Sequence, residues 1–164
     1  MKIPISESRD KKVLIVDDES DTRIFLSTLL QTVGFKPYEA CNCKEGLERC
    51  LAIDPDLIIM EIMTDGDEGL DLYCTLRKDV RLQKIPIIIL STIDKKTFIY
   101  YQNLRKLQPD RSLMEPDAYL KKPPETEELL RWANVLSETE RRSSSAMTVK
   151  DLKLKKWFQI IKYP

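Results

Sequence analysis

With 164 residues, 42% hydrophobic and 33% charged, the chain has the balance of a soluble globular protein, long enough for one well-buried domain and a modest appendage. No apolar run approaches the ~18 residues of a membrane span and the amino end lacks the apolar core of a signal peptide, so the cytoplasm is the expected location. The chain has no histidine, which excludes a Ser-His catalytic pair, the common histidine-bearing zinc sites and a phosphohistidine on this chain.

The four cysteines, Cys41, Cys43, Cys50 and Cys74, follow neither zinc-knuckle nor secreted-disulfide spacing and read as reduced, structural thiols. The net charge of zero conceals a division. Residues 1–138 carry 20 Lys/Arg against 25 Asp/Glu, whereas residues 139–164 carry 7 against 2. The tail is electrostatically a different object from the body.

In chain order, a polar arm over residues 1–10 leads into an apolar run, Val13 to Val16, that reads as a buried strand. Ser20 or Asp21 is positioned to cap the helix that follows, with Leu26, Leu29, Leu30 and Val33 on one stripe and Gly34 at its end. Phe35 to Ala40 is a second strand, placed at the sheet edge by Pro37. Asn42 caps a short helix carrying Leu47, Cys50 and Leu51, which Asp54-Pro55 stops.

Asp56-Leu57-Ile58-Ile59-Met60-Glu61 then sets four apolar residues between two carboxylates, the pattern of a strand buried on both faces. A loop from Ile62 to Gly69 leads to a helix with Leu70, Leu72, Tyr73 and Leu76, and Ile85-Pro86 introduces a fourth strand, Ile87 to Leu90. A longer helix runs from Lys95 through Phe98, Ile99, Tyr101 and Leu104 to about residue 107, with Tyr100 and Tyr101 as one exposed and one packed ring. After the irregular segment from Gln108 to Pro116 come a short strand, Ala118 to Leu120, the turn Lys121-Lys122-Pro123-Pro124, and a last helix with Leu129, Leu130, Ala133, Val135 and Leu136. Strand and helix alternate five times, which predicts an α/β fold with a parallel sheet covered by helices on both faces.

Three of these strands end in polar side chains: Asp17-Asp18-Glu19, Glu61, and Ser91-Thr92. The carboxyl edge of an open parallel sheet is where ligands bind. Asp17, Asp18 and Glu61 gathered there form an oxygen-rich, negatively charged site suited to a hard cation such as Mg²⁺, whereas isolated strand-end carboxylates would simply be solvated or cap helices. A nucleotide or flavin site would want a Gly- or Ser/Thr-rich turn after the first strand, and the acidic run would repel phosphate unless a cation intervened.

Lys12 to Asp18, Pro55 to Glu61, Gly69-Leu70, Pro86 to Thr92 and Tyr119 to Pro123, in that order and spacing, resemble the receiver domain of two-component response regulators over residues 11–138. The resemblance implies a flavodoxin-like, doubly wound, five-stranded parallel sheet of order 2-1-3-4-5. By position it makes Asp17 and Asp18 the acidic pair that holds Mg²⁺, Met63 a backbone carbonyl ligand, Ser91 and Tyr119 the switch hydroxyl and switch aromatic, and Lys122 the lysine that reaches the acceptor. It also implies a cis peptide between Lys122 and Pro123.

The sequence departs from the family at its centre, where Glu61 replaces the aspartate that takes phosphate from a kinase histidine. One extra methylene moves the carboxylate by more than about an ångström, enough to spoil in-line attack if the metal and Lys122 are fixed. Thr92, where the family has a very small residue, narrows the approach. Asp56 sits ~16 Å away at the other end of its strand, and Asp65 and Asp67 on the next loop are poor substitutes. The expectation is an atypical, phosphorylation-independent module in which Glu61 pairs with Lys122, with little or no Mg²⁺ bound and no enzymatic output. The alternative is an Mg²⁺-dependent phospho-acceptor using Glu61 or a loop aspartate.

The expected partners are a sensor kinase, another regulator or an output protein, with a homodimer compatible and the segment around Arg111, Leu113 and Met114 placed to affect partner choice. In the tail, residues 139–164, a polar linker precedes a capping box at Thr148 and Asp151. Leu154, Trp157, Phe158 and Ile161 then share one helical face, with Lys150, Lys153, Lys155, Lys156 and Lys162 on the others. Such a basic amphipathic piece packs on its own or a neighbouring domain, or lies on an anionic membrane or other acidic surface. No helix-turn-helix element fits in it, so specific nucleic-acid binding is not expected.

Overall fold

The computed structural model describes residues 10–64, 66, 68–106 and 115–138, of which 101–106 by backbone alone. The amino arm, Asp65, Asp67, the side chains of Tyr101 and Leu104, the segment with Arg111, Leu113 and Met114, and the basic tail lie outside these described residues. The elements are β1 (Lys12–Val16), α1 (Ser20–Thr32), β2 (Lys36–Ala40), α2 (Cys43–Ile53), β3 (Leu57–Met60), α3 (Glu68–Lys78), β4 (Ile87–Ser91), α4 (Lys95–Lys106), β5 (Ala118–Lys121) and α5 (Thr126–Glu138). All pairings are parallel and the strand order is β2-β1-β3-β4-β5, the flavodoxin-like order that the resemblance implies.

The apolar strands need both faces covered, and the helices divide to supply this. Leu14, Val16, Ile58, Met60, Ile87 and Ile89 face α2, α3 and Phe98 of α4. Val13, Ile15, Leu57, Ile59, Ile88 and Leu90 face α1 and α5. β2, with Pro37, is an edge strand as its sequence requires, although it begins at Lys36, leaving Phe35 as a buried contact before it.

One local expectation is corrected. Neither Ser20 nor Asp21 caps α1: the N-cap is Glu19, and Ser20 is the first helical residue. The Asp17 carboxylate pulls the chain inward by accepting from the Glu19 amide at 2.9 Å, which places the helix start one residue early. In α2, Leu51 is exposed and the buried residues are Cys43, Gly46 and Cys50. Asn42 does cap α2, accepting from the Glu45 amide at 2.8 Å.

The lower end of the sheet is tied by buried Arg77 of α3. Its guanidinium donates to Asp117 at 2.7 Å and to the carbonyls of Gln83 and Ile85 at 3.1 and 2.9 Å, while Asp117 also accepts from the Ile87 amide. This fastens α3 to the starts of β4 and β5. Removing one member of a buried ion pair strands the other, so Arg77→Ala is expected to lower the unfolding free energy by about 3–5 kcal/mol, measured by urea denaturation.

Candidate functional site

The register of the sheet builds the site. Val16 pairs with Met60 and Met60 with Ile89, so Asp17 and Glu61, each one residue past its strand, leave the sheet side by side. The ladder continues through the Glu61 amide to the Val16 carbonyl at 2.9 Å and the Lys122 amide to the Ser91 carbonyl at 2.8 Å. Four strand ends thus carry Asp17, Glu61, Ser91 and Lys122 to one edge.

Glu61 is only 5% exposed, and every donor it needs is within reach. Its Oε1 accepts from the Ser91 hydroxyl at 2.5 Å and from the amides of Ile62 and Met63 at 2.7 and 2.9 Å. Its Oε2 lies 3.3 Å from the Lys122 ammonium. The same ammonium reaches Asp17 Oδ2 at 2.7 Å and Glu19 Oε2 at 3.2 Å. One lysine therefore sits among three carboxylates, two of them buried.

Burial weighs against the Lys122 charge, but the hydrogen bond and charge of Asp17, with Glu61 and Glu19, outweigh it and raise the ammonium above its usual 10.5. Burial likewise pushes the Asp17 carboxyl above its usual 3.8, opposed by the hydrogen bonds from Lys122 and the Glu19 amide. Glu19 is held below its usual range, first by the Thr22 hydroxyl and then by Lys122.

The loop after Glu61 depends on a close approach. A Cβ on Gly69 would come within 2.4 Å of the Ile62 carbonyl oxygen. Glycine here lets the start of α3 lie against the residue whose amide caps the Glu61 carboxylate. Thr64, buried behind it, donates to the Glu61 carbonyl at 3.2 Å.

The family model for the response regulator receiver domain matches residues 13–133. The chain belongs to this family. It is thus a receiver of two-component signalling, 30% identical to Protein PilH of Pseudomonas aeruginosa over 76% of this chain and 96% of PilH. It is also 35% identical to the phosphate regulon transcriptional regulatory protein PhoB of the same organism, over 49% of this chain and 35% of PhoB. With the DNA-binding dual master transcriptional regulator RpaA of Synechocystis it shares 29%, over 82% of this chain and 53% of RpaA. The chain therefore spans about a third to a half of those transcriptional regulators.

Among solved structures, the Francisella response regulator 1452 receiver domain is 29% identical with a TM-score of 0.64, covering 79% of this chain and 98% of that one. The chemotaxis response regulator CheY4 of Vibrio cholerae, at 23% identity and the same TM-score of 0.64 over 77% and 98%, shares the fold.

Within this receiver, Asp17, Glu61, Ser91 and Lys122 come together as described. Asp18, next to Asp17 in the chain, is exposed, and its backbone carbonyl accepts from Arg23. Thr92 is exposed at the lip, the Met63 side chain points to solvent, and the Lys122-Pro123 peptide is cis. Tyr119 is half-buried, its ring 5.2 Å from that of Phe98 and its hydroxyl donating to the Ile93 carbonyl at 2.7 Å. Asp56 accepts from the Lys12 amide at the opposite end of the sheet.

Sequence reading assigned no role to Glu19 or to the amides of Ile62 and Met63. The acidic run contained Glu19, but which of its members turns inward depends on the path of α1.

Mg²⁺, which the family implies, wants free carboxylate oxygens at about 2.0–2.1 Å in octahedral geometry. Both oxygens of Asp17 and both of Glu61 are already engaged by N–H and O–H donors. Among the described residues no three His, Cys, Asp or Glu side chains group closely enough to hold an ion. The arrangement does not fit the metal while the Lys122 ammonium lies at its centre.

Two outcomes are expected. Gly69→Ala should cost about 1–3 kcal/mol in thermal or urea unfolding by overpacking the turn, and should shift the amide NMR signals of Ile62 and Met63. Burial pushes the Tyr119 phenol up to about 12, so the folded state keeps its proton where the unfolded chain, near 10, loses it. The sign is a stability contribution present below pH 10 and lost as the pH rises towards about 12. Urea titrations across that window should show the wild type losing on the order of 2 kcal/mol relative to Tyr119→Phe.

Proposed function

We propose that this receiver relays signals through protein contacts without being phosphorylated, because Glu61 supplies permanently the anionic oxygens that a phosphoryl group would bring. One observation carries the reading: a single carboxylate engages both the Ser91 hydroxyl and the Lys122 ammonium. By family resemblance Ser91 is the switch hydroxyl that would bond a phosphoryl oxygen, and Lys122 is the lysine that reaches the acceptor. The added methylene that removes Glu61 from the position for in-line attack is what lets it reach them.

The energetics support the same reading. A carboxylate taken out of water loses several kcal/mol of solvation even after relaxation. Charge-assisted hydrogen bonds return about 1.5–3 kcal/mol each. With Ser91, two amides and Lys122 in place, Glu61 is a satisfied structural anion and a poor nucleophile. Ser91 is held by it, and Tyr119 packs beside β4 with its hydroxyl on Ile93. Partners on this reading are a sensor kinase, another regulator or an output protein that recognises this fixed surface, and the Lys122 ammonium takes the place of a bound cation.

Incubation with acetyl phosphate and Mg²⁺ followed by intact-mass measurement tests it. The expected result is no adduct on wild type and one phosphoryl group on Glu61→Asp; an adduct on wild type would instead favour the phospho-acceptor reading. Glu61→Gln keeps the shape and removes the charge. It should lower the unfolding free energy by about 1–3 kcal/mol and move the NMR signals of Tyr119 and the start of α4, and an unmoved Tyr119 would sink the proposal.

A further inference from the structure

We infer that residues 148–163 fold back along α1 of the same chain and cover its exposed apolar pair, Ile24 and Phe25. These two side chains are 60% and 45% exposed, on the face of α1 opposite Leu26 and Leu30, which are fully buried under the sheet. With Asp21 and Thr28 they fall at i, i+3, i+4 and i+7, one continuous stripe of the helix. A stripe of this kind matches another helix laid alongside.

The route of the chain selects the occupant. Lys11 donates to the Ser137 carbonyl at 2.6 Å and the Asp10 amide to the Gly34 carbonyl at 3.2 Å, so the last turn of α5 and the last turn of α1 flank the same two residues. The tail therefore leaves α5 beside the carboxyl end of α1. Residues 139–147 are mostly polar in sequence and nine residues reach at most ~30 Å, and the apolar positions Leu154, Trp157, Phe158 and Ile161 recur at helical spacing beyond them.

Length and charge agree with an antiparallel placement. At 1.5 Å per residue, Trp157 and Phe158 lie ~14 Å along a helix begun at residue 148, while Ile24 and Phe25 lie ~11 Å back from the end of α1. The aromatic pair thus meets the exposed pair. At the far end Lys162 arrives near Asp18 and Asp21, both exposed. The tail's 7 Lys/Arg against 2 Asp/Glu face a body with 20 against 25, which favours this contact over a free tail. A short tether also gives the segment a millimolar effective concentration, so a modest contact suffices.

The full-length chain tests this when it carries the photoreactive amino acid benzoylphenylalanine in place of Phe25. Irradiation should give cross-links to tail peptides from residues 148–163 within the monomer. In parallel, acrylamide quenching of Trp157, isolated by difference from Trp157→Phe, should rise when Phe25→Asp lowers the closed population by about tenfold or more. Because Phe25 is exposed, circular dichroism of that variant should match wild type. Cross-links joining two chains would assign the stripe to a second copy. Wild-type binding to phosphatidylserine vesicles that requires the tail would assign it to a membrane. Either result, or Trp157 quenching indifferent to Phe25→Asp, overturns the inference.

Discussion

A carboxylate buried at the carboxyl end of the central strand imposes the main constraint on this molecule. Glu61 follows four residues that are each at most 1% exposed, so it cannot retreat from the sheet, and it must find its donors where the neighbouring strands end. The solution draws on β3 for two amides of its own loop, on β4 for the Ser91 hydroxyl and on the turn after β5 for Lys122. Strand order, register and the tight start of α3 at Gly69 all serve that one requirement. A slip of one residue in any of these strands would turn a donor to the other face and leave the charge unpaired.

The same constraint bears on signalling. A family built to change state on gaining a charged group has, in this member, an acid already bonded to the hydroxyl and the lysine of the site. Short physical links join the site to its surroundings: Ser91 ends β4, Ile93 follows it, and Tyr119 bonds to Ile93 while its ring lies near Phe98 of α4. Under the proposed reading the equilibrium is biased by covalent structure, and what remains adjustable is access to the surfaces around it. A basic segment lying on α1 would be such an adjustment, since α1 begins directly beside Asp17 and Glu19.

Similarity in length separates the relatives. The chain covers nearly all of PilH but only a third to a half of PhoB and RpaA. The shared portion is the receiver, which the family model matches over residues 13–133. What such a unit acts upon depends on the surfaces it presents, and here Ile24 and Phe25 on α1 are the exposed apolar pair closest in sequence to the site's acidic run.

Much of this protein was legible in its residues. Apolar runs of four, punctuated by Gly34, Asp54-Pro55 and Ile85-Pro86, are a strong local signal, because a strand covered on both faces tolerates little else; Pro37 marked the edge strand for the same reason. That strands ending in Asp17, Glu61 and Ser91 would share one edge followed from their alternation with helices. Local chemistry did not decide which neighbours turn inward. Glu19 rather than Asp18 meets Lys122, and Glu19 rather than Ser20 is the N-cap of α1, because Asp17 binds the Glu19 amide and redirects the chain. The two backbone donors that meet Glu61 Oε1, the amides of Ile62 and Met63, likewise came only from the folded arrangement. Sequence sets the period and the punctuation of the elements; the partner of a buried charge is chosen by the register between strands far apart in the chain.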